Sequence, residues 1–252
     1  MNYSTLIKEI IASNPQTFED VQVRLREKAD ELKIGMATKT EILKEYREML
    51  NRGEVEKHAV LEKLLRRRDI RTLSGVAPVT VMTAPLSCPA DCVYCPTEAK
   101  MPKSYLSNQP AAMRAVLSKF DPYKQTITRL DTLYNNGHIP EKIEIIVNGG
   151  TWSAHPIRYK TWFIKRIFDA CNEFKPFSYE REDLITTGER KTLIARRLQE
   201  YNHDWFQENK LGGVEDDALM IELGKSHDLN EKGRWRVIGL TLETRPDYIT
   251  LK

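Results

Sequence analysis

The first seventy residues place apolar side chains every three or four positions and show little strand alternation, the spacing of helices that bury one face. Thr17 stands ahead of Phe18, Val21, Leu25, Ala29 and Leu32, a capped amphipathic helix that Gly35 can end. Thr38 lies three positions before Glu41, a capping-box pattern, ahead of Ile42, Leu43, Tyr46, Met49 and Leu50, and Gly53 closes that segment. A further helix carries Val60, Leu61, Leu64 and Leu65 on one face. The pattern predicts three or four short helices packed as a small N-terminal domain over residues 1–74.

From Gly75 the period changes. Val76–Thr83 is a short apolar run rich in β-branched residues; because Pro78 cannot donate to a ladder, a strand is expected from Val79. After a Pro- and Ser-bearing stretch, Asp121 and Pro122 form an N-cap and first-turn pair for a helix lined by Ile127, Leu130, Leu133 and Tyr134 and ended by Gly137. Ile143–Val147 reads as a second buried strand ending in Asn148-Gly149-Gly150-Thr151. A helix from about Pro156 to Cys171 puts Phe163, Ile164, Ile167 and Phe168 on one face. Strand–helix alternation of this kind implies a parallel sheet. Residues 173–213 are less regular and read as an insertion or lid, helical over Lys191–Tyr201 and loop-like over 202–213. Leu219–Gly224 fits a helix, and Val237–Leu242 a third strand that ends in Glu243-Thr244-Arg245-Pro246-Asp247. The fold class is therefore α/β, with residues 75–252 as the second domain; three strands do not close a barrel, so this part reads as an incomplete one.

Composition narrows the class. With 40% hydrophobic and 30% charged residues the 252-residue chain is that of a globular protein. No apolar run is long enough to span a membrane, and the N-terminus lacks the basic and apolar segments of a secretory signal. Four cysteines, three of them clustered, point to a reducing, cytoplasmic setting. The net charge of +3 demands no polyanionic partner, but charge is uneven. Lys63, Arg66, Arg67, Arg68 and Arg71 crowd the end of the first domain, with Lys57 nearby and only Glu62 and Asp69 as local offsets. Such a run is either a solvated helix end suited to the helix dipole or a phosphate-binding patch for nucleic acid.

The sharpest chemical signal comes just after the first strand. Cys88, Cys92 and Cys95 are spaced C-x3-C-x2-C, and Cys171, the remaining cysteine, lies far off in a helical stretch where it reads as a small buried apolar residue. Three thiolates on one loop can wrap one metal centre, and sulfur ligands select zinc, Cu(I) or an iron–sulfur cluster. Structural zinc wants a fourth protein ligand, which this sequence does not offer at a matched spacing; a disulfide is a further alternative. A 4Fe–4S cluster on three thiolates leaves one iron open to a small molecule. A metal loop at the C-terminal end of a first strand is also where α/β barrels place chemistry, as are Glu243 and Arg245 at the end of the third, unless these two form a surface ion pair at a turn. His138 and His155 read as structural.

The cysteine spacing resembles that of the radical S-adenosylmethionine (SAM) enzymes. Around it, IRTLSGVAPVTVMTAP, CVYCP, SYLSNQPAAMRAVLSKFDPYKQTITRL, GHIPEKIEIIVNGGTW and VIGLTLETRPDYI resemble the catalytic subunit of Elongator and its single-chain relatives, over nearly the whole chain. The resemblance implies a tRNA-modifying enzyme that builds a carboxymethyl group on the wobble uridine from acetyl-CoA, with a radical SAM (β/α) barrel followed by an acetyltransferase-like domain. It implies that Cys88, Cys92 and Cys95 hold a 4Fe–4S cluster, that Gly149, Gly150 and Thr151 meet the SAM amino group, and that Tyr94 shields the cluster or leans on the adenine, packing being its plainer role. Lys142 matches a family lysine associated with acetyl-CoA, although it precedes the second strand at the end away from the cysteines. tRNA and an electron donor are the implied partners, with a separate chain supplying the rest of the barrel and the acetyltransferase-like domain. Many members have a longer first cysteine spacing, and this chain corresponds to roughly their front half. Two other readings stand beside this one: a tRNA-binding fragment without turnover, and a radical SAM enzyme with another substrate.

Overall fold

The computed structural model describes residues 3–32, 35–176, 187–201 and 215–249. They fall into two compact units: Met1–Ser74 together with Thr132–Ile139, and Gly75–Asp131 together with Pro140–Lys252.

The first unit contains α1 (Ser4–Ala12), α2 (Phe18–Leu32), α3 (Lys39–Asn51), α4 (Ala59–Leu65) and a 3-10 turn at Asp69–Thr72. Its core is Leu6, Ile7, Ile10, Val21, Leu25, Ile42, Leu43, Tyr46, Met49, Leu61 and Leu65, each fully buried aliphatic side chain contributing roughly 1.5–3 kcal/mol. The capping box forms: Thr38 Oγ1 accepts from the Glu41 amide at 3.3 Å and the Glu41 carboxylate accepts from the Thr38 amide at 2.8 Å. α4 is capped by His58, whose Nδ1 accepts from the Leu61 amide at 3.1 Å, a cap that a search for Ser, Thr, Asp or Asn passes over.

The second unit holds β1 (Ala77–Met82), α5 (Pro110–Leu117), α6 (Pro122–Asn135), β2 (Lys142–Asn148), α7 (Ile157–Glu173), α8 (Thr187–Glu200), α9 (Asp216–Glu231) and β3 (Arg236–Leu242). The last four residues of α6 group with the first unit. The strands form a parallel sheet in the order β1-β2-β3, with Ala77 opposite Ile143 and Val147 opposite Leu242. The sheet is three-stranded, and no closed barrel exists among the described residues. Ala77, Val79 and Val81 lie on one buried face with Ile143, Ile145 and Val147.

Several expectations need correction. β1 begins at Ala77, not Val79, and includes Pro78. The reason is the hydrogen-bonding direction. The Thr83 amide donates to Asn148 O on β2, whereas the Met82 amide points away from β2 and donates to Gln125 Oε1 at 2.9 Å, while Gln125 Nε2 donates back to Met82 O at 2.9 Å. Pro78 shares the parity of Met82, so its missing N–H falls on the outer edge of the sheet, where proline is tolerated. α5 lies in the Pro- and Ser-bearing stretch, where no element was expected; Gln109 takes its N-cap position without a side-chain cap bond, Pro110 opens it, and Ala112, Ala115 and Val116 are buried. α9 runs from Asp216 to Glu231, well beyond Leu219–Gly224. Its buried side includes Ser226 and Asn230, held by Ser226 Oγ to Asp169 at 2.7 Å and Asn230 Nδ2 to Asn172 at 2.8 Å, so apolar spacing alone does not reveal it. Pro156 is the N-cap of α7 rather than part of the helix. α8 covers the helix expected within the insertion, and 202–213 lies outside the described residues.

Candidate functional site

Four segments of the second unit meet at the C-terminal ends of the strands: the cysteine loop after β1, residues 96–109 beyond it, the glycine turn after β2, and Glu243–Asp247 after β3. Strand register explains the meeting. Parallel pairing brings Met82 opposite Asn148 and Val147 opposite Leu242, so the loops leaving the three strands emerge on the same side.

The glycine turn is locked from two directions. Gly149 has φ +136 and Gly150 φ +92, a left-handed backbone that side chains disfavour. A Cβ on Gly149 would fall 1.8 Å from Thr83 Oγ1. Thr83 Oγ1 donates to Gly149 O at 3.0 Å, and the Gly149 amide donates to the Glu243 carboxylate at 3.1 Å. Tyr105 donates to the same carboxylate oxygen at 2.5 Å. Burial, then the bond to Glu243, pushes the Tyr105 phenol far above its ordinary range. Glu243 therefore ties the tips of β2 and β3 to the loop after the cysteines. Sequence reading missed Tyr105; the only signal for it was its place in the SYLSNQP stretch. A Cβ placed on Gly150 would lie 3.8 Å from Lys103 O, an ordinary contact, so this position is not crowded as Gly149 is.

The three cysteines are free thiols and half-buried. Each sulfur has a polar neighbour. Cys88 Sγ lies 3.5 Å from Thr151 Oγ1, Ser104 Oγ donates to Cys95 Sγ at 3.0 Å, and Arg245 Nη1 donates to Cys92 Sγ at 3.3 Å. Arg245 is also paired with Asp247 at 2.7 Å, which raises its already high pKa. The surface ion pair weighed for Glu243 with Arg245 is thus replaced by two partnerships, Glu243 with Tyr105 and Arg245 with Asp247. Among the described residues no three His, Cys, Asp or Glu side chains are gathered as one metal ion would require. Tyr94 is 88% exposed, so the plainer packing role does not apply to it.

Other expected residues lie elsewhere. Lys142 opens β2 and pairs with Arg236, six residues from Asn148, roughly 20 Å along the strand at about 3.3 Å per residue. The basic run belongs to the first unit. Lys63, Arg67 and Arg68 are exposed, while Arg66 and Arg71 are half-buried. Its backbone is pinned: the Arg67 amide donates to Asn136 O at 2.9 Å, Arg66 Nε donates to Gly137 O at 3.2 Å, and buried His138 spans Arg67 O and Thr72 Oγ1 at 2.9 and 2.8 Å. His138 is a structural residue here, holding the turn that displays the arginines. His155 is 5% exposed, packs against Trp152 and Tyr159, and leaves Nε2 without a partner among the described residues. Burial, aided by Lys160, pulls its pKa down to about 4. Cys171 is fully buried, and its thiol is pushed up to about 12.

The chain is 37% identical to the tRNA uridine(34) acetyltransferase of Methanocaldococcus infernus over 205 residues, 79% of this chain and 37% of that protein. The protein of that name from Methanocaldococcus jannaschii is 37% identical over 73% of this chain and 35% of its own length. Elongator complex protein 3 of Drosophila melanogaster is 31% identical over 75% of this chain and 28% of its own. The chain is a homologue of these proteins. It spans little more than a third of the archaeal homologues, 37% and 35% of their lengths. A solved structure of Methanocaldococcus infernus Elp3 with an N-terminal deletion aligns over 70% of this chain and 24% of its own at 28% identity, with a TM-score of 0.39. No protein-family model matches. In this homologue, no helix among the described residues is long and apolar enough to cross a membrane.

Proposed function

We propose that this chain carries the cluster- and SAM-binding part of a tRNA wobble-uridine modifying enzyme, with tRNA met by the first unit. One observation carries the reading. Three free thiols on one loop stand beside the glycine turn at the strand tips, and each sulfur has a polar neighbour. The donor set suits an iron–sulfur cluster, which takes its thiolates at separate corners and so needs them less tightly gathered than a single ion does. Cys88, Cys92 and Cys95 would hold a 4Fe–4S cluster with SAM at its open corner. Bound there, these groups would supply a carbon-centred radical able to take a hydrogen atom from an unactivated carbon, chemistry that side chains do not offer.

The chain's own residues bind and orient. Gly150 would offer its backbone to the SAM amino group. Glu243 fixes the turn through the Gly149 amide, and Tyr105 fixes Glu243. The exposed Arg67 and Arg68 offer phosphate contacts on a turn held by His138. In the intact family protein the remaining strands, the acetyltransferase-like domain and acetyl-CoA would complete a carboxymethyl transfer; Lys142, away from the strand tips, would serve acetyl-CoA rather than SAM. The placement of the protein in the cytoplasm belongs to the same reading.

Anaerobic reconstitution tests it. Iron and sulfide should load in proportion and 5′-deoxyadenosine should appear on reduction with SAM; loading of neither would refute the cluster reading. tRNA binding should weaken with salt, and Arg67→Ala with Arg68→Ala should flatten the log–log salt slope by about 2. An unchanged slope would remove the first unit from the tRNA interface.

A further inference from the structure

We infer that Arg245, with Ser104 and Thr151 in support, sets how readily a cluster bound to the three cysteines accepts an electron. This rests on the cluster reading above. Each cysteine sulfur has its own polar neighbour, and the three come from different places: Thr151 from the turn after β2, Arg245 from the segment after β3, and Ser104 from the loop beyond the cysteines. The Arg245 contact is built rather than incidental. Asp247 takes Nε at 3.0 Å and Nη2 at 2.7 Å, a two-pronged grip that fixes the guanidinium plane. Nη1 is left over, and it is the atom that meets Cys92 Sγ. A surface ion pair needs only the Asp247 contact; it does not need the third nitrogen aimed at a thiol.

Charge sets the direction of the effect. Reduction moves one electron from an external low-potential reductant onto the cluster, breaking no bond, and the added negative charge spreads onto the ligand sulfurs. A donor to sulfur stabilises the reduced form more than the oxidised one, and a cationic donor does so most. Removing Arg245 makes reduction harder.

The test is a redox titration of the reconstituted full chain with a dithionite-class reductant, monitored by electron paramagnetic resonance, with iron content measured in every sample. Arg245→Met should lower the reduced-to-oxidised ratio at fixed potential by tenfold or more, a negative shift of about 59 mV for one electron. Arg245→Lys should shift less, Asp247→Asn less again because it only loosens the grip, and Ser104→Ala and Thr151→Val least, all in the same direction. Where Arg245→Met does not load, Arg245→Lys and Ser104→Ala decide. Equal midpoints at equal iron content would overturn the inference and leave the cluster standing. A wild-type chain that takes up no iron would overturn both.

Discussion

The strand tips and the cysteine loop lie side by side and are built in opposite ways. At the tips, Gly149 is held by Thr83 on one side and Glu243 on the other, with Tyr105 behind Glu243. On the loop, Val93 is 102% and Tyr94 88% exposed, and the cysteines are held by one polar contact at each sulfur, a Cys95–Cys92 backbone bond and a pair between exposed Asp91 and Lys103. On the proposed reading, a glycine turn offering its backbone to a ligand would need to be rigid beforehand, because disorder there would be removed at the expense of binding. A loop of thiols holding a cluster would gain order from that group, so its own packing could be slight.

The contrast fails if stability does not track it. Gly149→Ala should have the largest effect. It forces a side chain into a left-handed backbone and against Thr83, so unfolding in urea should register a loss of roughly 3 kcal/mol. Adding Thr83→Ala should recover part of that loss, because the nearest clash is with the hydroxyl. An unchanged midpoint would mean that the tips are as yielding as the loop.

Acid should soften the rigid side next. His155 lies just past the turn, and its folded pKa of about 4 lies below the ordinary 6.5 because of burial. The unfolded chain therefore binds a proton first as pH falls through 6.5, and stability declines from there toward pH 4. The loss should be on the order of 2–3 kcal/mol. His155→Phe, which keeps a ring against Trp152 and Tyr159, should flatten that part of the stability–pH curve; a slope that survives the substitution would assign the effect to other groups.

Tyr105→Phe comes third. Loss of a half-buried hydroxyl donating to a carboxylate should cost roughly 1–2 kcal/mol. Combined with Glu243→Gln it should cost less than the sum, since both changes remove one contact. Last, Cys88→Ser, Cys92→Ser and Cys95→Ser together should change stability in iron-free buffer by no more than about 0.5 kcal/mol, while abolishing iron uptake. A large loss without iron would show the loop to be a packed element after all.

The same contrast explains what the sequence disclosed. The grouping of the three thiols on one loop was legible because it is a matter of local spacing, and Gly149-Gly150 because a glycine pair after a buried strand marks a turn. The three strands and most helices were legible from apolar period. Tyr105 was not, since its partner is 138 positions away, just after β3. Gln125 was hidden for a similar reason: it is a polar residue on a helix whose role is to complete the backbone of Met82. α9 was underestimated because polar side chains occupy part of its buried side. The grouping of Thr132–Ile139 with the first unit depends on contacts across tens of residues, such as His138 with Arg67, which no local period records.

The Gln125 amide has one more consequence. By bonding both backbone groups of Met82, and with Pro78 offering no donor two pairs earlier, it seals one border of the sheet against growth. Asn230 acts in the same way at the start of β3, accepting from the Val237 amide at 2.8 Å and donating to Trp235 O at 3.0 Å, so a newcomer at either border would first have to evict a side chain that already imitates it.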